Sequence, residues 1–367
     1  MSIESELKKN GITVIKKLDK EKEQTICKSI SNKICTAFPD IGFNKEELYS
    51  KLTKLNMYIA KIPDGMSEAN YFYKNSSIYF NEKIHFDDLD EFAIHETIHY
   101  LQEQKNNKNE LLRMGLCNFS GIKVKGLGIN EAAVQFTTSK IIGISKDFVK
   151  YYNIEFQACS PSYYPLECNL IEQMSLITGT DVLYDSTFFS NDNFKNAFIS
   201  KTTSKTYSQL QTIFDNLLEF QEKIIILSNV ILETPDNNKN KIGKLRDEIQ
   251  SYKILIKQDY FNAQNIIISN YFNNLISSNS TLEDIEKCRK KLEQYKELVG
   301  SSSDYTFFND FYNNKMAELE TKSSLLENNI SELDQNCTAI SKTSKFLTLL
   351  NKLRSILAKP FSNVFNK

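Results

Sequence analysis

Histidine is scarce in this sequence, with three in 367 residues, and tryptophan is absent. The seven cysteines (Cys27, Cys35, Cys117, Cys159, Cys168, Cys288 and Cys337) are odd in number and widely spaced, with no CxxC pair. That pattern reads most simply as free thiols in a reducing compartment. No apolar run is long enough to span a bilayer, which takes ~20 residues. The longest, Ile224 to Leu227 with Val230 to Leu232 behind it, falls far short. Residues 1–9 are charged and lack an apolar core, so no secretory leader is read there. The expected location is cytoplasmic, with leaderless export left open. A net charge of −1 gives no bulk attraction to nucleic acid or to an anionic membrane.

Glycine and proline are also few, and unevenly placed. Eight of the eleven glycines and all three histidines lie at or before Gly143. Beyond residue 200 the chain reads as long helices. Ile242, Leu245, Ile249, Tyr252 and Ile256 form one heptad-like seam, and Tyr312, Met316, Leu319, Leu326 and Ile330 continue in another. Breaks are expected at Pro235, around Ser277–Ser280 and at Gly300, giving three or four helices in an antiparallel bundle or coiled-coil hairpin. The polar stretch from Asp185 to about Ser204 reads as the connection.

The earlier part mixes elements. Strands are expected at Ile12–Ile15, Met57–Ile62 and Ser77–Phe80. Helices are expected over 20–37, over 45–54 after an Asn44 cap, from Asp88 to about Gln104, from an Asn130 cap to Ile142, and from Pro165 to Gly179.

Two of the three histidines stand four apart in His95-Glu96-Thr97-Ile98-His99. On a helix they lie one above the other, so both imidazoles can grip one zinc ion at roughly 2.0–2.1 Å. Glu96 then lies beside the open coordination position, as a general base. Ile94, Ile98 and Leu101 form a separate apolar stripe, so the packing face and the metal face do not compete. A catalytic zinc takes three protein ligands. No histidine follows His99, which leaves a carboxylate, and Glu131 in Gly128-Ile-Asn-Glu-Ala-Ala-Val-Gln135 is the best placed. Gln135, one turn later, can hydrogen-bond a ligand histidine.

This arrangement resembles the gluzincin group of zinc metallopeptidases, which share HExxH and a downstream NExxx(D/E). The resemblance covers roughly residues 55–185. Met66–Phe80 and Gly128–Gln135 are also similar to a family of uncharacterised clostridial proteins, which adds no activity. The gluzincin likeness implies His95, His99 and Glu131 as ligands, Glu96 as base, and the strand Ser77–Phe80 as the one along which an extended peptide pairs. Two departures stand out. Gln135 takes a place where an acid is common. No histidine remains to stabilise a tetrahedral intermediate, so Tyr163, Tyr164, Tyr184 or Arg113 must do so, with Tyr164 preferred for its place at the start of a helix.

The expected fold is therefore α+β. A zincin-like metallopeptidase domain covers 1–200, with a small mixed sheet and active-site helix to about 104 and a helical subdomain over about 105–200. A helical bundle or coiled coil follows over 201–367. The expected activity is zinc-dependent peptide hydrolysis with one Zn2+ and a peptide or protein substrate. Two other readings stand beside it: a zinc-binding interaction or scaffold protein, and a zinc hydrolase of a non-peptide amide. Asp181 in Gly179-Thr-Asp-Val-Leu-Tyr184 is a rival ligand to Glu131. His85 reads as a surface or capping residue, and the cysteines as buried apolar side chains. The helical region offers surfaces for homo- or hetero-oligomers. The last helix, Lys342–Lys359, packs on the bundle or lies on a membrane surface.

Overall fold

A computed structural model describes residues 3–63, 67–85, 89–120, 123–160, 162–235 and 237–357. It is a mixed α+β chain with small sheets and a helical C-terminal region. The chain opens with α1 (Ile3–Lys9), β1 (Thr13–Lys17), α2 (Lys20–Ala37), α3 (Lys45–Leu52), β2 (Asn56–Lys61), β3 (Ala69–Phe72) and β4 (Ser77–Asn81). Asn44 caps α3 as expected, its carbonyl oxygen accepting from the Glu46 and Glu47 amides at 3.0 and 3.1 Å.

These strands form one sheet in the order β1-β2-β4-β3. β2 and β4 run parallel, and the other neighbours run antiparallel. Every residue of β4 is buried. Ile78 and Phe80 enter the main core with Ile30, Ile34, Ile94 and Ile98, while Tyr79 enters a second cluster with Leu7, Ile12 and Ile62. The placement of β4 corrects one expectation. Ser77–Phe80 is an inner strand with both edges taken, so no peptide can add to it. The open edge nearest the helix behind it is that of β3.

That helix is α4 (Leu89–Leu101), packed against β3 and β4. Its expected opening residue, Asp88, lies outside the described residues. Ile94, Ile98 and Leu101 are buried as the stripe requires. The helix stops short of Gln104 because the chain turns into a second sheet: β5 (Glu103–Lys105), β6 (Leu111–Met114), β7 (Cys117–Ser120) and β8 (Lys123–Lys125). Then follow α5 (Leu127–Ile142), the hairpin β9 (Asp147–Tyr151) and β10 (Ile154–Ala158), α6 (Pro165–Thr178), α7 (Thr180–Phe189), α8 (Asn193–Lys201) and α9 (Ser204–Glu233). The polar connection expected after Asp185 is instead helical. Phe188, Phe194 and Phe198 are buried there, and that burial outweighs the turn-forming composition around them.

The last helices are α10 (Lys239–Ser278), α11 (Leu282–Leu298) and α12 (Phe307–Leu357), with breaks where the sequence places them. Phe220 packs on Tyr252 with ring centroids 5.6 Å apart, and Asn216 donates to Asp259 at 3.1 Å, so α9 and α10 run antiparallel. The chain divides into two compact units, Met1–Leu275 with Glu293–Phe308, and Ile276–Leu292 with Asn309–Lys367. Lys359 and the seam side chains Ile330, Leu333, Cys337 and Ile340 lie outside what is described. Among the described residues, no helix is long and apolar enough to cross a membrane.

One packing contact governs α5. A Cβ at Gly128 would lie 2.2 Å from the Phe214 carbonyl oxygen, so α5 and α9 touch backbone to backbone. Beside that contact the Asp215 carboxylate accepts from the Gly126 amide at 3.0 Å and the Gly128 amide at 2.8 Å. A carboxylate on α9 thus caps α5 from outside. Gly126 itself takes the left-handed conformation (φ 81°) that starts the helix. Asn130 is therefore not the cap: it lies inside α5, fully buried. We expect Asp215→Ala to cost about 1–2 kcal/mol and Gly128→Ala about 3 kcal/mol, read as lower denaturant midpoints at unchanged slope.

Candidate metal centre

Both histidines project from α4, and their rings meet at 4.9 Å between centroids. Their Nε2 atoms are 3.1 Å apart. Glu131, on the facing side of α5, brings Oε2 to 3.2 Å from His95 Nε2 and Oε1 to 3.4 Å from His99 Nε2. Donors arranged tetrahedrally about an ion at ~2.05 Å stand about 3.3 Å from one another. The spacing of the two Nε2 atoms, and of each from its facing Glu131 oxygen, is close to that value, and one donor atom from each residue falls within 4.8 Å of the others. Two imidazoles and a carboxylate are also a donor set that zinc accepts. Among the described residues, this is the one group of three or more such side chains able to hold a metal ion.

The far sides of the rings are fixed by amides. Gln135 Oε1 lies 2.8 Å from His95 Nδ1. The Gln135 amide nitrogen donates to Glu91 Oε1 at 2.7 Å and to Ser160 Oγ at 3.0 Å, so its oxygen must face the ring. His95 therefore carries a proton on Nδ1 and turns Nε2 toward Glu131. A second chain orients His99. The Leu116 amide donates to Asn130 Oδ1 at 2.9 Å, and Asn130 Nδ2 donates to Gln102 Oε1 at 3.2 Å. Gln102 Oε1 then accepts from His99 Nδ1 at 3.3 Å. Gln135 acts as the sequence predicts. Gln102, Asn130, Ser160 and Glu91 were not identified in these roles. Only Gln102 had a signal, its position three residues after His99.

The electrostatics favour a charged ligand. Burial opposes ionisation of Glu131, but His99 and His95 outweigh it and hold the carboxyl well below its usual range. Burial would lower His99, yet contact with Glu131 lifts it to about 9. A metal ion bound here would displace a proton from His99, so its binding would weaken as pH falls. Burial raises the Glu96 carboxyl. Glu96 Oε2 accepts from the Tyr71 backbone amide at 2.7 Å, on the outer edge of β3.

Tyr164 caps α6 in the left-handed region (φ 49°), and its ring lies 6.2 Å from that of His95, nearly parallel. Burial, reinforced by the charges of Glu131 and Glu96, pushes its phenol well up, so it keeps its proton and can donate. The other candidates are engaged elsewhere. Tyr163 packs edge-on against Phe92, and Tyr184 packs on Phe38 and Phe136. Arg113 is held by Asp192 and the Gly115 and Asn191 carbonyls. Asp181 is exposed in the first turn of α7, and His85 is exposed before α4. Neither joins the group.

Comparison with protein-family models, with curated proteins and with solved structures finds no match to this chain.

One further carboxyl lies close by. Glu167, in the first turn of α6, is fully buried, and burial raises it to about 7 despite a hydrogen bond from Gln221. Its folded value lies above the ordinary 4.5. Its contribution to stability is thus present below that value and is lost as pH rises toward 7. Glu167→Gln should remove this loss, flattening the pH–stability curve between about 4.5 and 7 and adding on the order of 3 kcal/mol at neutral pH. Denaturant titrations across that range read it directly.

Proposed function

We propose that the chain is a zinc-dependent peptidase of gluzincin type, its α4 and β1–β4 sheet serving as the core of a zincin-like domain. The observation that carries the reading is the convergence of His95, His99 and Glu131 with a buried Glu96 beside them. Zinc held by these three residues would act as a Lewis acid on an amide carbonyl and lower the pKa of water. Everything else falls to the chain's own groups. Glu96, raised by burial, takes a proton from the attacking water and returns it to the leaving amine. Tyr164, still protonated, donates a hydrogen bond to the oxyanion. The outer edge of β3 supplies backbone groups to an extended peptide, aligning it over Glu96 through the Tyr71 amide that the carboxylate now holds. Asp215 caps the helix that carries Glu131, and α9 lies in the same compact unit as the metal residues.

The reading is tested by metal analysis and cleavage together. Purified protein should carry about one zinc, and His99→Ala should lose it. Glu96→Gln should keep the metal and lower cleavage of a peptide library by about 10²–10⁴-fold. Gln135→Ala should weaken zinc about 10–100-fold. A wild-type protein that holds zinc but cleaves nothing in the library would replace this reading with a scaffold in which the metal is structural.

A further inference from the structure

Away from the metal residues, an open groove of about 890 Å³ runs along one face of α10. It is lined as well by Lys150 at the end of β9, by Tyr152 and Asn153 in the β9–β10 turn, and by Asp304 and Tyr305. Its floor is apolar: Phe261 is buried, and Tyr305 stacks on it at 3.7 Å between centroids. Three lysines border it, Lys150, Lys253 and Lys257, against one acid, Asp304. Two of the lysines already hold carboxylates, Lys150 that of Glu155 and Lys257 that of Asp304. The Lys150–Glu155 pair is exposed, where such a bridge contributes at most ~1 kcal/mol and exchanges readily, while Lys257 is partly buried beside an exposed Asp304. Lys253 is half-buried. Gln250, Gln258 and Asn262 line the same face with side-chain amides, each able to donate and accept.

We infer that this groove binds an acidic stretch of polypeptide. The lysines show the anion they take, a side-chain carboxylate. The amides suit the alternating N–H and C=O groups of an extended backbone, and the aromatic floor suits the methylenes of its side chains. The lined face of α10, Gln250 to Asn265, is about 22 Å long at 1.5 Å per residue, which matches about seven residues of extended chain. The groove lies on the same chain segment as the metal centre. β10 leads from the groove's turn into Ser160, which accepts from Gln135, and on to Tyr164. An occupant therefore sits one strand away from the loop beside His95.

The test is fluorescence anisotropy on the full chain with a labelled octaglutamate peptide and a labelled octaglutamine control. The expected result is saturable binding of octaglutamate that weakens with salt, and at least tenfold weaker binding of octaglutamine. Lys253→Glu should weaken octaglutamate about tenfold, and Gln258→Lys should tighten it about threefold, which guards against reading misfolding as loss of binding. Lys16→Glu, on β1, should change nothing. Equal binding of the two peptides, no saturation up to millimolar peptide, or an equal loss in Lys16→Glu would overturn the proposal. So would dextran sulfate binding at a groove that ignores octaglutamate. Zinc content and peptide cleavage do not enter this readout, so it stands or falls apart from the peptidase reading.

Discussion

The crossing of α4 and α5 is the constraint on which the candidate metal centre depends. Two candidate ligands come from one helix and the third from the other, so an error in the crossing of even 1 Å would spread the triangle. Two contacts hold α5 on α9, and one ties it to α4. Gly128 lets α5 meet the α9 backbone, where a side chain would collide with Phe214. Asp215 holds the first amides of α5. Asn130 joins α5 to Gln102 just past the end of α4, and through it to His99. The backbone contact fixes α5 against α9, and the amide pair ties α5 to the end of α4. Burying two imidazoles and a carboxylate is costly unless each satisfies the others. The same crossing that builds the centre therefore also prevents an orphaned charge.

The neutral amide at position 135 follows from the same economy of charge. A carboxylate there would polarise His95 more strongly. It would also face Glu91, whose Oε1 lies 2.7 Å from the Gln135 nitrogen, and two carboxylates that close cannot both stay ionised. Glutamine accepts from the imidazole and donates to Glu91 at once, which no acid can do while ionised. The departure from the gluzincin pattern is thus paired with a second residue, Glu91, four positions before His95. Neither residue alone would suggest the other.

What the sequence made legible is what repeats at fixed spacing or is forced by elimination. His95 and His99 were visible because helical pitch stacks positions four apart. Glu131 was visible because no further histidine exists to serve. The stripe Ile94, Ile98 and Leu101, the Asn44 cap and the helix start at Pro165 were readable for the same local reasons. Three features were not. Strands β5 to β8 are only three or four residues each, too short to show a two-residue period. The helices after Asp185 are held by three buried phenylalanines within a polar composition. Asp215 caps a helix that starts almost ninety residues earlier, and no pattern along the chain encodes a contact of that kind. Asn130 was misread on that account: its side chain suits a cap, but the cap was already supplied from α9.

The long helices also support Tyr164. A non-glycine residue at φ 49° is strained and persists only where its surroundings leave no alternative. Here α6 is clamped from behind by a buried polar network. Tyr260 donates to Asn169 at 2.7 Å, and Tyr295 donates to Gln173 at 2.9 Å. Gln264 accepts from the Gly300 amide at 2.8 Å and faces Gln173. These partners come from α10, α11 and the turn after it, and at least one hydrogen bond reaches each buried side chain. With α6 unable to shift, its first turn cannot relax, and the Tyr164 ring stays beside His95. The helices after residue 204 that belong to the first compact unit are thus the rear wall of the centre, which is why their polar residues are buried where a freestanding bundle would place leucine.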